Sequence, residues 1–254
     1  MIHLSKFLQI NESPYQILVI NNFINKKICT EIIKEILRFN KYDDEVMNGR
    51  HRINKGSKNF TNFLKKSKNI RKLYKNINNL KFYKKLDKLL DKNNKWIFLN
   101  KINYFSKKNY GLQKGNILTK NLEKKFIKNS LNLDIDFSCS NYGYFRSAHR
   151  DRDNRVINFL IYLNTIKKRD GGALEIFDVV KKKFTNKFPR FPNIKNLKKV
   201  NSLSPKQGKF IVFRSTPESY HGVSKFKSHT EKRIFLYGSF SLNNPVHWKK
   251  NKIN

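Results

Sequence analysis

Two hydrophobic periods divide the chain. In "NKKICTEIIKEILRFN" (25–40), Ile28, Cys29, Ile32, Ile33, Ile36 and Leu37 recur at helical spacing, and Asn25 is placed to cap the first turn. Phe82, Leu86, Leu89 and Leu90 repeat that spacing in "KFYKKLDKLLDKN". An opening strand is expected in "SPYQILVINNF" (13–23), ended by Asn21 and Asn22, and another in "KWIFLN" (95–100). Residues 41–79 are polar and rich in Lys and Asn, which predicts loops and one short helix.

After about residue 130 the apolar runs become short and strand-like: "LDIDFSC" (133–139), "VINFLIYL" (156–163), "ALEIF" (173–177), "KFIVF" (209–213) and "RIFLYGSFSL" (233–242). Gly171-Gly172 supplies the positive φ for a tight reversal between two of them. Pro205 and Gly208 punctuate the entry to "KFIVF". Helices followed by a run of short strands predict a mainly β protein with α support. The core is expected to be a double-stranded β-helix of the jelly-roll, cupin-like kind, with N-terminal helices packed on it. The boundaries read as 1–130 for the helical and strand support, 131–245 for the core and 246–254 for a basic C-terminal tail, all within one structural domain.

Composition changes this picture little. The 38% hydrophobic share is low, but 21 Phe and 11 Tyr supply bulky apolar area. A formal charge of +37 with pI near 10.2 raises the possibility of a polyanionic partner, nucleic acid included. Lys far outnumbers Arg, however, and Ala occurs only at Ala148 and Ala173, as an AT-biased genome would write into any protein. Both readings of the charge stay open. Cys29 and Cys139 form no CxxC pair, which excludes a disulfide framework or a zinc knuckle and leaves reduced thiols. No stretch reaches about 18 apolar residues and no leader pattern opens the chain, so a cytoplasmic protein without a membrane segment is expected.

Chemistry enters at "YFRSAHRDRDNRVINFLIYLN" (144–164). In a strand, residues two apart face the same way, so His149 and Asp151 can point together into a barrel mouth. One more imidazole completes a 2-His-1-carboxylate triad, which leaves three positions of an octahedral Fe(II) open for a cosubstrate and O2. His221 follows a turn, a strand and a short loop, in the right place to be that third ligand. Arg233 stands twelve residues later at the head of another strand, where a guanidinium can take the distal carboxylate of a dicarboxylate. Asp153 shares the alternation of Asp151 and competes for the carboxylate role.

Together, HxD, the Gly-Gly pair, P-x-x-G before "FIVF", His-x-Val and the strand-leading Arg resemble the catalytic core of the Fe(II)- and 2-oxoglutarate-dependent dioxygenases. The prolyl 4-hydroxylase-like branch is the most similar, and "PYQILVINNFINKKIC" looks like its N-terminal strand and helix. The resemblance implies Fe(II) held by His149, Asp151 and His221, and 2-oxoglutarate and O2 as cosubstrates. It makes Arg233 the anchor for the 2-oxoglutarate C5 carboxylate, with Tyr142 or Tyr144 hydrogen-bonding the cosubstrate. Phe235 departs from the pattern, since the family often has Ser or Thr two residues after the anchoring Arg; Tyr162 is the candidate replacement. The implied activity is hydroxylation of a C–H bond on a small-molecule, glycan or peptidyl substrate, with release of succinate and CO2. Residues 178–203, aperiodic and Lys-rich, are expected to form a rim over the pocket that could receive an acidic substrate. An AlkB-like nucleic-acid demethylase is the alternative enzyme, and a non-catalytic basic binding module on a jelly-roll the alternative outside catalysis.

Overall fold

The computed structural model of the chain describes residues 8–11, 13–90, 95–107, 129–180 and 188–251. After strands β1 (Leu8–Asn11) and β2 (Ile17–Ile20) comes helix α1 (Lys26–Phe39). The hairpin β3 (Asp44–Val46) and β4 (Arg50–Asn54) follows, then helices α2 (Lys58–Lys66), α3 (Lys68–Ile77) and α4 (Leu80–Leu90) and strands β5 (Trp96–Phe98) and β6 (Tyr104–Ser106). The remainder is β7 (Ser130–Ser140), β8 (Arg146–His149), β9 (Arg155–Tyr162), β10 (Leu174–Val179), β11 (Leu197–Leu203), β12 (Phe210–Arg214), β13 (His221–Val223), β14 (Arg233–Leu242) and β15 (Trp248–Lys250).

A large sheet runs β1-β2-β12-β9-β14-β7-β4-β3, with β6 joining β7 in parallel, and a smaller one runs β11-β10-β13-β8. This is the mainly β, jelly-roll architecture expected, with the helices on one face of the large sheet. Both faces of that sheet are buried. Leu18, Ile20, Phe159, Ile161, Phe210, Val212 and Leu236 pack outward in the cluster that holds the helices. Their alternating neighbours Ile17, Val19, Leu160, Tyr162, Ile211, Phe213 and Phe235 pack inward with Leu174 and Ile176 of the small sheet. Two buried faces explain why these strands read as nearly continuous apolar runs.

Local chemistry ends the helices. Asn25 accepts from the Lys27 N–H at 2.8 Å, Ser57 from Phe60 and Asn79 from Phe82. Glu35 on α1 accepts from the N–H groups of Asn69 and Ile70, placing a carboxylate at the start of α3. Cys29, Ile32 and Ile36 form the buried stripe of α1, whereas Leu37 is largely exposed.

Four expectations need correction. Residues 41–79 hold a β-hairpin and two helices rather than loops and one helix: β4 pairs with β7 from Arg50↔Ser140 to Asn54↔Asp136, and Ile70, Leu73 and Ile77 bury a stripe that the surrounding Lys and Asn obscure. Gly171-Gly172 joins no hairpin, because β9 and β10 lie in different sheets. Part of 178–203 is the strand β11, paired with β10; Lys181, Lys182 and Lys183 lie outside the described residues. Within the expected basic tail, β15 pairs with β5. Both cysteines are free and buried. No helix among the described residues is long and apolar enough to cross a membrane.

Gly238 on β14 lies opposite Phe159, and a Cβ built there would come within 2.2 Å of the phenyl ring. Gly238→Val should therefore displace the ring from its contacts with Phe210 and Phe240 and lower the unfolding free energy by about 1–3 kcal/mol in urea titrations. A change within about 0.5 kcal/mol, the range of neutral surface substitutions, would show that the ring does not depend on the glycine.

Candidate active site

The pairing of the small sheet sets the first two side chains. In the β8–β13 ladder His149 lies directly opposite His221, and the ring centroids are 4.6 Å apart. The chain leaves β8 after His149 and turns Asp151 inward, so a ligating atom from each of His149, Asp151 and His221 lies within 4.8 Å of the others, all three buried. Asp153, the competing carboxylate, is exposed and bonded to Arg150.

Each imidazole is oriented from behind. His149 Nδ1 lies 2.9 Å from the Ser147 carbonyl and His221 Nδ1 3.0 Å from that of Ser219. A carbonyl can only accept, so both Nδ1 atoms carry hydrogen and both Nε2 lone pairs face Asp151, at 3.7 and 3.4 Å. Burial, reinforced by His221, pushes the His149 pKa down to about 3, so the ring is neutral and free to ligate at neutral pH. Burial alone would raise the Asp151 carboxyl; the Arg155 guanidinium holds it well below the usual carboxylate range. Two imidazoles beside an ionised carboxylate are the donor set that Fe(II) takes.

Sequence reasoning missed two residues behind Asp151. Tyr237 donates its hydroxyl proton to Asp151 Oδ2 at 3.1 Å and receives a short hydrogen bond from Arg155 Nη1. The signal was present in the strand period, since Arg233, Phe235 and Tyr237 occupy alternate positions of β14 and share its inner face.

Arg233 lies deeper in the same cavity, fully buried. Its Nε donates to the Gly172 carbonyl at 2.8 Å and its Nη2 to the Tyr162 hydroxyl at 3.4 Å. The guanidinium carbon lies 4.0 Å from the centre of the Phe235 ring, 5.1 Å from Tyr162 and 5.6 Å from Tyr144. Nη1 is buried with no hydrogen-bond partner, and no carboxylate among the described residues lies within 4 Å. An orphaned donor on a buried cation suits an entering carboxylate, so the residues present fit a dicarboxylate cosubstrate. Gly172 has φ +70°, and a Cβ there would meet the Arg233 Cδ at 2.8 Å; the glycine pair is what lets this carbonyl approach.

The cavity, about 290 Å³, is lined by the triad, Arg233, Tyr144 and Tyr237 among others. Tyr162 reaches it through Arg233. Tyr142 does not: it is 48% exposed and stacks on His229 at 3.9 Å, because the turn after β7 directs it to solvent. From the β10–β11 connection Arg190 lines the cavity, its carbonyl accepting from the Arg150 N–H, and the Phe188 carbonyl accepts from Arg150 Nε.

Residues 136–240 match the 2OG-Fe(II) oxygenase superfamily. The prolyl 3-hydroxylase OGFOD1 of Mus musculus is 30% identical over 110 residues, which make up 42% of this chain and 18% of that protein. Among solved structures, a prolyl 4-hydroxylase from Phytophthora capsici is similar at 14% identity, over 89% of this chain and 58% of that one, with a TM-score of 0.53. A Pseudomonas putida prolyl 4-hydroxylase aligns at 16% identity over 89% and 91%, with a TM-score of 0.49. The Phytophthora likeness shows a shared fold.

The wall beside the triad carries a buried ion pair whose removal can be read as stability. Arg50 Nη2 donates to both Asp136 oxygens at 2.7 and 2.9 Å, and its Nε to Ser138 Oγ. Arg50→Met strands the Asp136 carboxylate and should cost about 3–5 kcal/mol, while Arg50→Met combined with Asp136→Leu should recover most of it. Denaturant melts of the three proteins check this; a double variant no better than the single would show that the pair itself is not the source.

Proposed function

We propose, from a chain that belongs through residues 136–240 to the 2OG-Fe(II) oxygenase superfamily, that this protein is an Fe(II)- and 2-oxoglutarate-dependent hydroxylase of the prolyl-hydroxylase-like branch. His149, Asp151 and His221 would hold the iron, and Arg233 the C5 carboxylate of 2-oxoglutarate. The observation that carries this reading is the coincidence, in one cavity, of three converging ligand atoms and a buried guanidinium with an unsatisfied Nη1. Iron with 2-oxoglutarate and O2 supplies the oxidation, turning a substrate C–H into C–OH as the cosubstrate becomes succinate and CO2.

The chain's own residues prepare that chemistry. The Ser147 and Ser219 carbonyls fix the tautomer of each histidine, and Tyr237 holds Asp151 Oδ2 by a hydrogen bond while Arg155 keeps the carboxylate ionised, so that the three side chains would be oriented to hold the iron. Tyr162, Tyr144 and Phe235 enclose the Arg233 head, excluding water so that its charge acts at low dielectric. Tyr162 thereby stands where Phe235 denies the family's usual hydroxyl.

Alanine at His149, Asp151 or His221 should abolish stoichiometric Fe(II) binding with the fold retained, as read by metal analysis and circular dichroism. Full iron in the Asp151→Ala protein together with loss in Asp153→Ala would reverse the carboxylate assignment. Arg233→Ala should spare the iron and weaken 2-oxoglutarate binding by roughly ten- to a hundredfold, for loss of a charge-assisted bond in a dry site, with Arg233→Lys recovering part. Anaerobic titration of the iron-to-cosubstrate charge-transfer band measures both, and an unshifted midpoint in Arg233→Ala would remove the case for this cosubstrate.

A further inference from the structure

The charges around the cavity do not cancel. Arg50 is neutralised by Asp136, Arg52 by Asp44 through two hydrogen bonds, and Lys55 by nearby Asp134. With the proposed ligands bound, the iron dication, Asp151, the oxoglutarate dianion and Arg233 balance among themselves. Arg155 is tied to Asp151 through Tyr237; Arg146, Arg152 and Arg190 remain, all lining the cavity, and none of these three has a carboxylate within 4 Å among the described residues. Arg146 makes do with Met47 Sδ at 3.1 Å and a marginal contact to His149 Nε2 at 3.5 Å. Arg190 Nε is buried without a partner. Burial and the neighbouring Arg152, Arg146 and Arg155 hold the Arg190 guanidinium below its usual range.

The positive surface continues outside. Arg146 and Val223 also line an open groove on the outer face of the small sheet, where Lys168, Arg169, Lys225 and Lys227 stand beside the exposed Phe145 and Ile194. Glu175, the one acid lining the groove among the described residues, is engaged by Lys199 at 3.0 Å.

We propose that the substrate is an acidic polypeptide segment whose carboxylates meet Arg146, Arg152 and Arg190 at the cavity mouth and whose chain continues along this groove. The inference rests on the hydroxylase reading of the same cavity and names its substrate class. A free small acid would fill the mouth but leave the cations of the groove unused, whereas an extended acidic chain meets both. The exposed apolar side chains between the lysines favour a polypeptide over a polyphosphate. Phe191, an exposed ring stacked on His149, already has Arg190 at 4.9 Å and Arg146 at 5.7 Å, so it is not an open platform for a nucleobase.

The test is fluorescence anisotropy with a labelled peptide of alternating Glu and Pro, its Gln-Pro counterpart and a labelled oligo-thymidylate. The protein is loaded with Mn(II) and 2-oxoglutarate, so that nothing turns over. The Glu peptide should bind at least about tenfold more tightly than the Gln peptide, the difference should shrink as salt rises, and Arg190→Gln or Arg152→Gln should each remove about tenfold of it while leaving the Gln peptide unchanged. Equal affinity for the two peptides overturns the proposal, as does tighter binding of the oligonucleotide with the same dependence on Arg190. If Mn(II) or 2-oxoglutarate fails to bind, the hydroxylase reading falls, and the same peptide titration on the metal-free protein still decides the preference for acidic chains.

Discussion

A guanidinium sealed inside a barrel, with no carboxylate of the described residues beside it, constrains everything around it. Leaving a full charge buried and uncompensated costs several kcal/mol, and at Arg233 only part of that cost is offset within the protein. The Gly172 carbonyl and the Tyr162 hydroxyl take two donors, and the faces of Phe235, Tyr162 and Tyr144 add cation–π attraction of about 0.5–2 kcal/mol each. Nη1 is left without a partner. Several features of the sequence follow from that one residue: two glycines where a side chain would collide, aromatic residues on neighbouring inner positions, and a β14 register that sets Arg233 against Ser140. The site is therefore an electrostatic deficit built to be closed from outside.

The fold makes that deficit tolerable by dividing labour between the two sheets. The large sheet is clamped on its outer face by four helices and a continuous apolar cluster, so its inner face can carry Arg233, Tyr237, Arg155 and Asp136 without giving way. The small sheet contributes few core side chains but sets His149 against His221 by a backbone register. A one-residue slip in β13 would turn His221 out of the barrel, because alternate strand residues face opposite ways.

How far the sequence reveals this depends on whether the determining pattern is local. The stripe of α1, the apolar runs of β9, β12 and β14, and the triad with Arg233 were legible because each follows a short period or a spacing tied to one strand. The hairpin and helices within 41–79 were not, since β4 is made by pairing with β7 more than eighty residues away, β3 forms only against β4, and Ile70, Leu73 and Ile77 are diluted by lysine. Gly171-Gly172 was read as a hairpin because glycine pairs make hairpins; here positive φ serves the close approach of a carbonyl to Arg233. Choosing between Tyr142 and Tyr144 needed the turn that sends one out and the other in, and adjacent alternation could not supply it.

The net charge, ambiguous as composition, becomes informative once it has an address. Spread over a surface, a lysine excess reports no more than codon supply. The cavity differs in kind: the cations that line it are all arginine, the side chain whose planar fork suits carboxylates and whose charge persists when buried. Asp136 and Asp44 neutralise two of these, and Arg155 is tied to Asp151 through Tyr237. Arg146, Arg152 and Arg190, at the opening, are matched by no acid among the described residues. Because the choice of arginine over lysine follows the cavity while the rest of the chain favours lysine, genome composition does not account for it, and the positive charge there belongs to the site.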